Sequence, residues 1–101
     1  MKAKHLLLVA AVLTVACGPS EREITLRSFD ELVAAERAFA RASVETTPHD
    51  AFMQYLGEDS ILFLPTPVAG RESMEARPMD GNLSWEPAFA DIAVAGDLGY
   101  T

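Results

Sequence analysis

The first seventeen residues decide how much of this chain is left to fold. Lys2 and Lys4 precede an uncharged apolar run from Leu6 to Ala16, and small residues follow at Ala16, Cys17 and Gly18. A positive start, an apolar centre and small residues at a cleavage point are the pattern of an export signal. The run is about eleven residues, whereas a membrane-spanning helix needs roughly twenty. A retained transmembrane anchor is therefore the weaker reading. Loss of the leader leaves about 84 residues, enough for one small domain that folds alone.

The segment Leu13-Thr14-Val15-Ala16-Cys17 resembles a bacterial lipobox, in which the cysteine is acylated and becomes the new N-terminus. It departs from the pattern in one respect, because the leucine sits one place earlier than usual. Cys17 is the only cysteine in 101 residues, so in an oxidising compartment it has no disulfide partner. Lipidation of Cys17 is the expectation, with acyl chains holding the protein at a membrane without spanning it. The alternative is an ordinary secretory peptide, with Cys17 removed or left as a free thiol. No aspartate follows the cysteine, and Gly18 is compatible with outer-membrane sorting in a host with two membranes. Without its two lysines the chain carries six arginines against fifteen acids, a balance of about -9. No basic patch survives, which argues against nucleic acid as a partner. The acidity itself promotes solubility and is silent about fold.

Beyond a short tether over residues 18–27, Ser28 with Glu31 matches a capping box. The spacing predicts a helix from about Phe29 to Ser43, with Phe29, Leu32, Val33, Phe39 and Ala40 on one face. Glu36 lies in the middle of that stripe. Thr47, Pro48 and Asp50 are cap, first-position and third-position residues for a second helix, with Gly57 at its stop. Ser60 to Leu64 reads as a short buried strand and Pro65, Pro67 and Gly70 as a loop. A short third helix starts at Gly70 and ends before Pro78. Residues 82–95 alternate like a strand, with a parity switch at Pro87 that predicts an edge or bulge. Ala95-Gly96-Asp97 is a hairpin turn signal, and Leu98 to Thr101 begins the returning strand. Such a sheet has an open edge and an uncovered face. These residues are accordingly expected to be part of a longer chain.

The order of elements carries a resemblance. It rests on Ala-Glu-Arg-Ala-Phe-Ala (Ala35 to Ala40), Ala-Phe-Met-Gln-Tyr-Leu (Ala51 to Leu56), Asp-Ser-Ile-Leu-Phe (Asp59 to Phe63) and Gly-Arg-Glu (Gly70 to Glu72). Leu-Ser-Trp-Glu-Pro (Leu83 to Pro87) and Gly-Asp-Leu-Gly-Tyr-Thr (Gly96 to Thr101) complete the set. In this order they resemble the nuclear transport factor 2-like superfamily, in the branch of bacterial domains near the SnoaL-like polyketide cyclase group. The resemblance spans residues 28–101 and implies an α+β cone, a curved antiparallel sheet wrapped on N-terminal helices around a cavity, often in a homodimer. It also implies further strands after the last hairpin, so the domain over residues 28–101 is expected to be C-terminally incomplete.

Candidate chemistry concentrates on a few side chains. Glu36 points inward from the first helix, where a carboxyl suits general-base work or anchors a ligand by hydrogen bonds; the alternative is a structural carboxylate paired with an arginine or a tyrosine hydroxyl. Asp59, before the first strand, is a second proton-carrier candidate at the cavity mouth, or simply a turn residue. Tyr55, Phe63 and Trp85, with Tyr100, are the aromatic groups available to a pocket for a small hydrophobic ligand, or to ordinary core packing. Arg71 either pairs with Glu72 or meets an anion. Neither a phosphate loop, nor a nucleophile elbow, nor zinc-ligand spacing is present, and no cofactor or metal is expected. Enzymes related by the resemblance to cyclases, isomerases or dehydratases need an acid/base pair, which these residues do not supply clearly. A binding or assembly domain is the expectation, and a carboxylate-dependent enzyme the alternative.

Overall fold

A computed structural model describes residues 17–77 and 79–101. Residues 1–16, which hold most of the segment read as an export leader, and Pro78 lie outside the described residues. The order of elements is α1 (Glu21–Glu45), α2 (Pro48–Tyr55), β1 (Ile61–Phe63), β2 (Pro67–Ala69), α3 (Gly70–Glu75), β3 (Asp91–Ile92) and β4 (Gly99–Tyr100).

Helix α1 is the axis of the domain. It starts seven residues before Ser28, so most of the segment read as a tether is helical. Two Ser-x-x-Glu pairs compete for the N-terminus, and the earlier one wins. Ser20 closes a capping box with Glu23: the Ser20 N–H donates to Glu23 Oε2 at 2.7 Å and the Glu23 N–H to Ser20 Oγ at 3.3 Å. The reason is tertiary. The added turns hold Thr25, whose hydroxyl donates to the Val94 carbonyl at 2.7 Å, and Ile24, which packs beside Gly96.

Helix α2 follows its sequence signals. Thr47 caps it by accepting from the Asp50 N–H at 3.1 Å, and Pro48 stands at the first position. Its C-terminal end is closed by a residue from another element: Arg71 Nη1 donates to the carbonyls of Met53 at 2.7 Å and Leu56 at 2.9 Å. These are acceptors that a helix end leaves without partners. Arg71 therefore serves the α2–α3 junction and makes no pair with Glu72.

The region 61–69 departs from expectation. Instead of a buried strand and a loop, it forms a hairpin in which β1 pairs antiparallel with β2 through Ile61↔Ala69, Leu62↔Val68 and Phe63↔Pro67. The Leu64–Pro65 peptide in its turn is cis. Alternation puts Leu62 and Val68 on the half-buried face toward α3, while Ile61 and Phe63 are 62% and 72% exposed. The strand is thus one-sided.

Residues 79–90 carry no regular element, although residues 82–95 alternate like a strand. A strand needs a neighbour, and this segment has a helix instead. It runs antiparallel along α1: Ser43 Oγ donates to the Leu83 carbonyl at 2.8 Å, Trp85 meets Glu36 and Phe39, and Val94 meets Thr25. The eighteen helical steps from Thr25 to Ser43 span about 27 Å, and the eleven steps from Leu83 to Val94 reach at most about 40 Å. The segment is accordingly stretched along the helix while using about two-thirds of its full reach. It ends in the β3–β4 hairpin, paired through Asp91↔Tyr100 and Ile92↔Gly99 and packed on the N-terminal half of α1. The two hairpins are separate sheets, and no cone-like curved sheet is formed among the described residues.

The close approach of that hairpin to α1 requires glycine at two places. Gly96 has a φ of 73°, and a Cβ there would lie 2.6 Å from Ser28 Oγ; one at Gly99 would lie 2.7 Å from Leu32 Cδ2. Of the apolar side chains among the described residues, only Ala40, Pro48, Ala51 and Met74 are buried.

Candidate functional site

The site is assembled where α1, α2 and the extended segment meet. Leu32, Glu36, Phe39 and Ser43 recur at three or four residues along α1 and so share the face that this segment covers. Glu36, the charged member of that apolar stripe, finds its partner there: Trp85 Nε1 donates to Glu36 Oε1 at 2.6 Å in a part-buried setting. An N–H donor on a carboxylate gives a short, charge-assisted bond. The indole N–H is a donor only and does not exchange roles with an acid or base.

Around this bond is a cluster of four rings. Phe39 stacks on Tyr55 with centroids 4.9 Å apart and planes at 21°, and meets Phe52 and Trp85 edge-on at 5.0 and 4.8 Å. Edge-on and offset geometries match the ring quadrupoles. The structure thus brings Glu36, Tyr55 and Trp85 into one place. Phe39, on the apolar face of α1, and Phe52 of α2 belong to the same cluster; the signal that finds them is the apolar spacing on the two helices. Phe63 lies outside this cluster, exposed on β1, and Tyr100 pairs instead with Phe89 at 5.9 Å.

Beside Trp85 a cleft of about 690 Å³ opens on the flank of α1. Arg37, Ala40, Arg41 and Val44 line one wall at helical spacing, and Ser84, Trp85, Glu86 and Pro87 the other. In the sequence Arg37 and Arg41 fall away from the apolar face of the helix, and nothing local marks a cleft there because the opposing wall is made by residues about forty or more positions away. A second, smaller cleft of about 430 Å³ is bounded by the turn before β1 and by β2. Asp59 belongs to it with Glu58 and Ser60, and Glu36 does not. Asp59 thus lines the smaller cleft, whereas Glu36 lines neither and stands behind Trp85.

His49 lies in the first turn of α2, its Nδ1 3.3 Å from Asp50 Oδ1. Cys17 is exposed, three residues before the cap of α1. Among the described residues no helix is long and apolar enough to cross a membrane. Family models, curated proteins and solved structures contain no significant match to this chain.

Proposed function

We propose that this chain is an exported protein, held at a membrane surface by acyl chains on Cys17, whose nuclear transport factor 2-like domain binds a small molecule without transforming it. The observation that carries the binding part is the cleft beside Trp85. Its volume of about 690 Å³ lies in the range of small-molecule sites, and it combines an aromatic wall with a few polar groups. The non-catalytic part rests on Glu36, whose nearest polar partner is an indole N–H that relays no proton. The cyclase, isomerase or dehydratase reading needs Glu36 to face a reacting centre, and Glu36 lines neither cleft while Asp59 lines the smaller one.

Trp85 is the only tryptophan, so its emission reports on the cleft directly. The test is a fluorescence titration of the detergent-solubilised mature protein with octanamide and octanoate. A saturable change in Trp85 emission is the expected result. A linear, unsaturable response to both compounds would remove the cleft as a binding site. Turnover of a cyclisable or isomerisable substrate that disappears in Glu36→Gln would restore the enzyme reading.

A further inference from the structure

We infer that the tip of the β3–β4 hairpin makes a second contact with the membrane, placing Val94 and Leu98 in the lipid surface that receives the acyl chains of Cys17. This deepens the anchored reading and rests on it. Alternation along β4 puts Leu98 and Tyr100 on one face, opposite to Gly99, whose backbone lies against Leu32 of α1. The face with Leu98 and Tyr100 is therefore the outer one. Phe89 joins it through its ring contact with Tyr100. Val94 and Leu98 are 67% and 73% exposed, and Phe89 and Tyr100 are exposed as well. Further strands would pair with the edges of this hairpin and leave its outer face uncovered.

Position selects the occupant. Exposure alone does not, because Ile61 and Phe63 on β1 are as open to solvent. The Val94 carbonyl accepts from the Thr25 hydroxyl, whereas Gly99 lies beside Leu32, so the hairpin points its tip toward the N-terminal end of α1. Thr25 stands five residues after the cap at Ser20, about 7.5 Å along the helix. With the tether to Cys17 added, the tip is within roughly 18 Å of the acylated residue. A tilt of α1 toward the hairpin brings both to one plane. The other apolar hairpin has no such reach: α2 meets α1 at Phe39, about 28 Å along the helix from Ser20, and β1 packs beyond it on α3.

The backbone of the tip is already prepared for loss of water. The Val94 carbonyl accepts from Thr25 Oγ1 at 2.7 Å, the Ala93 carbonyl from the Gly96 N–H at 2.8 Å and the Leu98 carbonyl from the Ala93 N–H at 2.7 Å. Unpaired carbonyls would oppose transfer into lipid. Tyr100, with an apolar ring and a polar tip, suits the headgroup level behind them. Asp97, beside Leu98, and Asp91, across from Tyr100, are exposed acids. They keep the insertion shallow and match a headgroup layer without net charge rather than an anionic one.

The experiment attaches an environment-sensitive thiol dye to Leu98→Cys and, as a control of equal exposure, to Phe63→Cys. Each protein is matured and acylated in a bacterial host, checked by intact mass, and reconstituted in phosphatidylcholine vesicles with and without a nitroxide-bearing phosphatidylcholine. The dye at position 98 should shift to the blue on reconstitution and lose most of its emission to the nitroxide lipid, while the dye at position 63 does neither. Val94→Cys should behave like Leu98→Cys and serves in its place where that variant does not fold. An acylated protein whose dyes at positions 98 and 63 are equally indifferent to the nitroxide lipid overturns the second contact and leaves the anchor standing. Blue emission at position 98 that the nitroxide lipid does not touch assigns the face to a protein partner and overturns it as well. A mass without acyl chains, on protein that stays off the vesicles, overturns the contact and the anchored reading together.

Discussion

Glu36 and Trp85 show how one hydrogen bond shapes a functional conclusion. The carboxylate sits on an apolar stripe where only a partner makes its burial tolerable, and that partner comes from forty-nine positions away. Trp85→Phe keeps most of the ring and removes the donor. Loss of a hydrogen bond to a charged group costs about 2 kcal/mol, so urea unfolding of this variant should show a lower midpoint with an unchanged slope. Glu36→Gln retains an acceptor and should cost less. Glu23 makes a different pH-dependent contribution. The backbone N–H of Ser20, followed by the Ser20 hydroxyl, holds its carboxyl below the ordinary value of 4.5. A depressed carboxyl stabilises the folded state above 4.5 and loses that contribution as pH falls through the lowered value. Amide exchange in the first turn of α1 should accordingly quicken on acidification below that point, and in Glu23→Gln the dependence should disappear.

At the scale of elements, α1 packs against α2 and the β3–β4 hairpin, and these neighbours are secured by single devices. Arg71 closes the C-terminal end of α2 by reaching across from α3. Arg71→Ala orphans two carbonyls, and a destabilisation of about 1–3 kcal/mol is expected, measurable by thermal or urea unfolding; Arg71→Lys, with no fork, should recover part of it. Gly96 secures the β3–β4 hairpin. Gly96→Ala meets both a left-handed backbone and the Ser28 hydroxyl, so it should destabilise by more than about 1 kcal/mol and expose the hairpin amides to exchange. The helix boundaries show how far local signals reach. Thr47-Pro48 were enough to place the start of α2, because its N-cap is made from adjacent residues; its C-cap, Leu56, falls one residue before Gly57, which is not left-handed, and that end is closed by Arg71. Ser20 and Ser28 offered equal local chemistry for α1, and the choice between them fell to Thr25 and Ile24 through their contacts with the hairpin.

For the whole molecule, the short distance from Cys17 to the cap at Ser20 matters. Only Gly18 and Pro19 intervene, about 10 Å of extended chain to the cap. If acyl chains are attached at Cys17, the N-terminal end of α1 sits at the lipid surface and the cleft, near Arg41 and Val44, lies toward the far end of the helix. Intact-mass measurement of the protein extracted from native membranes should show diacyl or triacyl additions, absent from Cys17→Ala, which should partition to the soluble fraction. An unmodified mass would remove the anchor and this orientation together.

The sequence by itself determined the features that are chemistry between near neighbours: the N-terminal cap of α2, the turn at Gly96, and the anomaly of Glu36 on an apolar stripe. Periodicity was equally sufficient to put Phe39 and Glu36 on adjoining positions of one helix face. Tertiary structure alone decided what meets that face. Alternation over residues 82–95 is compatible with strand pairing, but an extended segment pairs only with a backbone that is within reach, and here α1 offers side chains instead. The same packing put Asp59 in one cleft and Glu36 beside another, left Phe63 in solvent, and set Arg37 and Arg41 opposite Trp85. Such placements depend on contacts between residues far apart in the chain, and no local pattern encodes them.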